Sequence, residues 1–215
     1  MENKKILFLS GTRADFGKLK SLINISQQSS IFDVSIFVTG MHLQKEYGYT
    51  VNEIEKSGFE NIYTFENHTT ESSMDLTLSK TIEGLSAHVK ANKPDLIVVH
   101  GDRVEALAGA IVGSLNNILV GHIEGGEVSG TIDELIRHSV SKMSHIHFVC
   151  NQQAKNRLIQ MGEIDSHIFE IGSPDIDIMF SPNLPNMKSI YLYPSLCLIE
   201  GTNISCGRGT YKQFQ

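Results

Sequence analysis

Asp95-Leu-Ile-Val-Val-His-Gly-Asp-Arg103 and Ile118-Leu-Val-Gly-His-Ile-Glu-Gly-Gly-Glu127 decide how this chain folds. Each is an unbroken apolar run that stops at glycine and a carboxylate. An unbroken run, rather than an alternating one, is what a strand buried on both faces requires. Between them, Val104–Asn116 reads as a helix. Strand, helix, strand with both strands buried implies a parallel pair joined by a crossover.

The same unit repeats outward in both directions. Lys5–Ser10, Phe32–Val38 and a short Ile62–Phe65 precede it as strands, and Ile146–Cys150 and His167–Ile171 follow. Helices are expected at Ala14–Gln28, Met74–Ala91, Thr131–Lys142 and Gln152–Met161. In the second of these, Leu78, Ile82, Leu85 and Val89 keep helical spacing behind a polar start at Asp75. The fold class is therefore α/β, a doubly wound parallel sheet with helices on both faces.

In such a sheet the carboxyl ends of the strands share one edge, and ligands bind in the crevice there. Ser10-Gly-Thr-Arg13, Thr39-Gly40, His100-Gly-Asp-Arg103, Glu124-Gly-Gly-Glu127 and Gly172-Ser-Pro174 are those ends. Sequence-distant glycines, two arginines and several carboxylates are thereby expected on one rim.

Composition narrows the function. The chain has 215 residues, 18 Lys and Arg against 24 Asp and Glu, and a net charge of −6. That balance argues against nucleic-acid binding, which needs a clustered excess of basic groups. The 40% hydrophobic content supports a sizeable core, and the length suits one domain or slightly more. No apolar run approaches the ~20 residues of a membrane span, and Ile6–Leu9 is too short for a signal-peptide core. Three cysteines, Cys150, Cys197 and Cys206, without a C-x-x-C, fit a reduced, cytoplasmic chain.

Each motif carries a chemical reading and a plainer one. Gly11-Thr12-Arg13 opens a helix, where N–H groups and an Arg fork suit a diphosphate; a tight turn with a solvated Arg is the alternative. Asp102 at a helix start is either a charged base or an N-cap. His122 and Glu124 are two apart at a strand end and are expected to point the same way. Glu127 is read equally as a ligand contact or an exposed turn residue. Thr131 with Glu134 matches a capping box, which leaves Asp133 to face the crevice, unless it pairs with Arg137 at i+4. Nine histidines show no H-E-x-x-H, so no metal is expected.

Together these segments resemble the hydrolysing UDP-N-acetylglucosamine 2-epimerases of the sialic-acid branch. The carrying stretches are Ser10-Gly-Thr-Arg-Ala-Asp-Phe-Gly-Lys-Leu19, Val38-Thr-Gly-Met-His-Leu43, Val99-His-Gly-Asp-Arg103, Gly121-His-Ile-Glu-Gly-Gly-Glu-Val-Ser-Gly-Thr-Ile-Asp-Glu-Leu-Ile-Arg-His138 and Gly172-Ser-Pro174. The resemblance covers about residues 4–180. It implies that residues 1–180 form one Rossmann-like half of a glycosyltransferase-B-type fold, with the active site between two domains. It further implies elimination of UDP to a 2-acetamidoglucal, then hydration to N-acetylmannosamine, with no cofactor. Asp102, Glu124 and Asp133 match the family's acidic positions. Arg13, Lys18, Arg103, His122, Glu127 and Arg137 are the implied substrate contacts, with Arg13 toward the diphosphate.

Residues 181–215 depart from that family. Their Glu-Gly-Thr-Asn and Gly-Arg-Gly-Thr stretch resembles a short piece of the exo-N-acetylmuramidases. A segment this short is expected to lack stable order and any muramidase activity. The join is expected to mark a rearranged, truncated or misassembled reading frame. Lacking the second domain, the chain is expected to be inactive alone. Its uncovered cleft face invites homodimerisation or aggregation. The competing functional class is a non-catalytic module that binds a nucleotide sugar or a protein; a glycosyltransferase-like donor domain is weaker still.

Overall fold

A computed structural model of the chain describes residues 3–68 and 73–179. The tail at 181–215, with Cys197 and Cys206, lies outside the described residues.

The seven strands are β1 (Lys4–Ser10), β2 (Phe32–Val38), β3 (Ile62–Thr64), β4 (Leu96–His100), β5 (Leu119–Ile123), β6 (Ile146–Val149) and β7 (Ile168–Glu170). They form one sheet in the order β3-β2-β1-β4-β5-β6-β7, and every pairing is parallel. The chain runs outward from β1 to β3, then crosses back to β4 and runs outward the other way. The order reverses between β1 and β4, so a crevice opens at their carboxyl ends.

The helices are α1 (Arg13–Gln28), α2 (Val51–Lys56), α3 (Met74–Asn92), α4 (Val104–Leu115), α5 (Ile132–Lys142), α6 (Gln152–Gln160) and α7 (Pro174–Met179). The unbroken apolar runs divide between two cores. Ile6 and Phe8 of β1 meet Phe16, Leu19 and Ile23 of α1 on one face. Leu7 and Leu9 turn to the other face, with Leu85 of α3 and Ala106 and Ala110 of α4. Side-chain alternation along one strand thus feeds both layers. Helix α4 lies unusually flat on the sheet. A Cβ at Gly109 would come 2.5 Å from Val99 Cγ1, and one at Gly113 2.4 Å from Val120 Cγ2.

The expected strands and long helices are all present, with ends shifted by a residue or so, the usual uncertainty of element boundaries. Sequence patterning did not foresee the short pieces between β2 and β3. These are 3₁₀ turns at Gly40–Leu43 and Lys45–Tyr47, then α2. Six residues hold too few turns to show a helical period, and the two 3₁₀ turns carry part of the groove wall.

Candidate active site

Loops after β2 and β4 and the starts of α3, α4 and α5 enclose a groove of about 850 Å³. Asp102, Arg103 and Glu105 line it from the β4 side, Asp133 from α5, and Met41, Lys45 and Tyr47 from the 3₁₀ turns. Asp102 and Asp133, remote in sequence, therefore face one space at the carboxyl edge. Asp133 is exposed, and its Oδ2 accepts a hydrogen bond from the Thr131 hydroxyl at 3.1 Å. Thr131 also caps α5, accepting from the Asp133 backbone N–H. Glu134 turns away to accept from the Ser129 and Gly130 N–H groups at 2.8 and 2.7 Å. Thr131 thus caps through the Asp133 N–H and Glu134 through the preceding turn, not as the reciprocal capping box expected from sequence, and Asp133 is left to the groove.

Arg137 bonds Asp102, not Asp133. The i+4 pair gives way to a contact across from α5 to the β4 loop. Burial pushes the Arg137 pKa down, and its Nε has no partner among the described residues. Arg103 stays half exposed, with a terminal nitrogen 3.5 Å from Met41 Sδ.

Glu124 belongs to a second cluster. Its φ of 63° is left-handed, a conformation that side chains rarely adopt and that marks functional turns. This turn breaks the strand alternation, so the expected common direction of His122 and Glu124 is corrected. His122 goes to the α5 face. It is fully buried, with Nε2 2.8 Å from the Gly101 carbonyl and Nδ1 3.0 Å from Ser141 Oγ. Burial pushes its pKa down to about 3. With both nitrogens engaged it props the β4–α4 turn and offers no free edge to a ligand.

Glu124 instead turns toward α1. Lys18 Nζ donates to its two oxygens at 3.0 and 3.1 Å. His100 Nε2 stands 3.0 Å from Oε2, while His100 Nδ1 is 3.4 Å from Asp15 Oδ1. Asp175 of α7 approaches Lys18 at 3.3 Å. Burial alone would raise the Glu124 pKa, but His100 and Lys18 reverse this and hold it at about 2. Burial opposes the Lys18 charge too, yet Glu124 and Asp175 outweigh it and the pKa rises.

The remaining expected contacts lie apart from the groove lining. Arg13 is exposed on α1, its Nε 3.3 Å from Glu53. Glu127 accepts from Asn151 Nδ2 at 2.8 Å, which ties its loop to the N-cap of α6. Sequence reasoning overlooked Asp15, His42, His100 and Glu105. Glu105 is buried beneath Gly11 and Gly40. A Cβ at Gly40, whose φ is 65°, would stand 2.6 Å from the Gly11 carbonyl and 2.7 Å from Glu105 Oε1. Those glycines were the available signal that something bulky lies under the rim. His42 is buried between Ser10 and Thr50, at 2.9 and 2.7 Å, and desolvation lowers its pKa to about 4.

No group of three or more side chains suited to a metal ion occurs among the described residues. None of the described helices is long and apolar enough to cross a membrane.

Comparison with known proteins places this arrangement. Residues 24–196 match the family model described as UDP-N-acetylglucosamine 2-epimerase. Residues 191–215 match that of the C-terminal part of the exo-beta-N-acetylmuramidase NamZ. A UDP-N-acetylglucosamine 2-epimerase from Neisseria meningitidis is 48% identical over 193 residues, 90% of this chain and 51% of its own length. A hydrolysing UDP-N,N'-diacetylbacillosamine 2-epimerase from Legionella pneumophila is 42% identical over 81% of this chain and 47% of its own length. Polysialic acid biosynthesis protein P7 from Escherichia coli is 35% identical over 90% and 51%. The structure of the Methanocaldococcus jannaschii UDP-GlcNAc 2-epimerase in complex with UDP-GlcNAc and UDP aligns with a TM-score of 0.71 at 27% identity. It covers 81% of this chain and 48% of that one. The chain spans about half the length of the relatives it matches, carries the sheet of the glycosyltransferase-B-like epimerases, and belongs to the UDP-N-acetylglucosamine 2-epimerase family.

Proposed function

We propose that this chain is the amino-terminal half of a hydrolysing UDP-N-acetylglucosamine 2-epimerase, converting UDP-N-acetylglucosamine and water to N-acetylmannosamine and UDP. The observation that carries this reading is the meeting of Asp102 and Asp133 on one groove at the sheet's switch point. Removal of the C2 proton of the sugar needs a positioned carboxylate, because that hydrogen is weakly acidic until the C1–O bond loosens. As the base takes the proton, the C–H pair becomes the C1=C2 bond and UDP leaves with the C1–O pair. Water then adds its hydroxyl to C1, and a proton returns to C2 on the opposite face.

Among the three matched acids, Asp133 has no basic partner within ion-pair distance among the described residues. We assign it and Asp102 to proton transfer in the groove. Glu124, held ionised by His100 and Lys18, lies outside that groove lining and sets the charge beneath it. Arg103 and Arg137 oppose the negative charge that develops on the leaving diphosphate. Arg13 and Lys18 stand on α1 to reinforce that field, and Glu127 orders the adjoining loop.

The hydrolysing chemistry draws support from the Legionella relative, and the sialic-acid setting from the Escherichia coli one. We take the domain to end near residue 180; the epimerase family match runs on to residue 196 and overlaps the muramidase-like match that begins at 191. We place the protein in the cytoplasm. We expect the exposed Val128, Ile132 and Leu135 beside the groove to favour a homodimer, visible by light scattering.

Calorimetry against UDP-N-acetylglucosamine and UDP, paired with a UDP-release assay, tests the reading. Heat with the nucleotide sugar and little turnover is expected from this half. Heat with neither ligand would leave the alternative of a protein-binding module. Turnover like that of a complete enzyme would refute the expected inactivity.

A further inference from the structure

The cluster around Glu124 contains a group that the chemistry above leaves unused. His100 is buried, 7% exposed, ends β4 two residues before Asp102, and has a carboxylate at each ring nitrogen: Asp15 at 3.4 Å and Glu124 at 3.0 Å. Neither nitrogen reaches any in-line hydrogen-bond partner among the described residues. A neutral imidazole has one N–H and one lone pair. Whichever tautomer it took, the lone pair would face a carboxylate in a buried space, and repel it.

The charge balance points the same way. Asp15 and Lys18 face His100 from α1, Glu124 from the end of β5, and Asp175 from α7 through Lys18. His122 stands on the other face of β5 and is neutral, its pKa lowered by burial. Cys150, near Glu124, is pushed up by burial to about 11 and stays a thiol. With His100 neutral, three carboxylates face one ammonium, and two negative charges are left uncompensated. With His100 protonated, one remains, and it lies on the half-exposed Asp175. Uncompensated buried charge is among the costliest features a fold can carry.

We propose that His100 is the positioning residue for Glu124: an imidazolium clamped by charge between Asp15 and Glu124 that fixes the Glu124 carboxylate. Asp15, 3.4 Å from Nδ1, attracts the charged ring from the opposite side. Burial works against the charge of His100, but Asp15 and Glu124 together outweigh it and raise the pKa. The clamp does not depend on the epimerase reading.

The test is ¹⁵N-detected titration of the histidine side chains in the full chain, without nucleotide sugar. Both ring nitrogens of His100 are expected to carry protons at pH 7, with a midpoint above the ordinary 6.5. Glu124→Gln should lower that midpoint by about one unit or more, and Asp133→Asn should leave it in place. As a second readout, ¹³C-carboxyl titration should show Glu124 rising from about 2 into the ordinary carboxylate range in His100→Gln. A single protonated nitrogen at pH 7 in the unaltered chain overturns the proposal. So does a midpoint that ignores Glu124→Gln. Because no sugar is present, failure here is distinct from failure of the ligand reading, which calorimetry reports.

Discussion

Two sets of carboxylates share the carboxyl edge of one sheet, and the fold treats them oppositely. Beneath the rim, on the α1 side, the buried Asp15 and the partly buried Glu124 are matched against His100 and Lys18. Across β4, Asp102 and Asp133 line an open groove, one held by Arg137 and the other by a hydroxyl. The sealed set is fixed in charge and place, which suits a group that sets electrostatics. The open set reaches solvent and a ligand, which suits proton exchange with a substrate. Residue type alone does not distinguish them; the hand of one backbone turn at Glu124 does.

Acid should separate the two regions most strongly. His42 and His122 are lowered to about 4 and 3 by burial, and Glu124 to about 2 by its cationic neighbours. Below pH 6.5 the unfolded chain binds protons at those histidines that the folded chain refuses, so stability falls from 6.5 down through about 3. Glu124 adds stability above its unfolded value, and that is lost as pH falls toward 2. His100 is shifted the other way, so its contribution is present below 6.5 and fades as pH rises through its folded value. Urea midpoints measured from pH 7 to 3 should drop steeply, while a flat profile would break the assignment of a sealed, charge-fixed region.

Substitution at the sealed set should cost more than at the open set. His100→Leu strands two buried carboxylates and is expected to lose about 3–5 kcal/mol, whereas Asp133→Ala should stay within ~0.5 kcal/mol. Equal losses in denaturant titrations would erase the contrast. Gly40→Ala should cost about 2–3 kcal/mol, since its Cβ would press on the Gly11 carbonyl in a left-handed turn. That effect tests the floor joining the two regions. The open set should register in binding instead. Asp133→Asn should weaken UDP-N-acetylglucosamine by about tenfold, or ~1.4 kcal/mol, with the thermal midpoint unchanged. Unaltered affinity by calorimetry would remove Asp133 from the site.

Much of this was legible before any coordinates. Continuous apolar runs such as Leu96–His100 reveal strands because burial on both faces leaves no room for alternation. The capping pair Thr131 and Glu134 reveals where α5 begins, and so which way Asp133 can look. The turn at Glu124 was opaque, since nothing in Ile-Glu-Gly-Gly specifies that the glutamate, as well as Gly126, takes the left-handed conformation. His100 was opaque as well. It ends an apolar strand like any satisfied core residue, and its two carboxylates come from α1 and from the end of β5. Arg137 shows the same limit: local spacing offers Asp133, and tertiary packing chooses Asp102.

The central claim is that the groove between the 3₁₀ turns, the β4 loop and α5 receives the nucleotide sugar. Backbone amide shifts of the ¹⁵N-labelled chain, recorded as UDP-N-acetylglucosamine is added, test it most directly. Saturable shifts are expected, concentrated at Met41, Lys45, Asp102, Arg103 and Asp133. Shifts confined to the opposite edge around Leu119, Ile164 and Phe169, where a separate apolar groove lies, or no shifts at all, would contradict it.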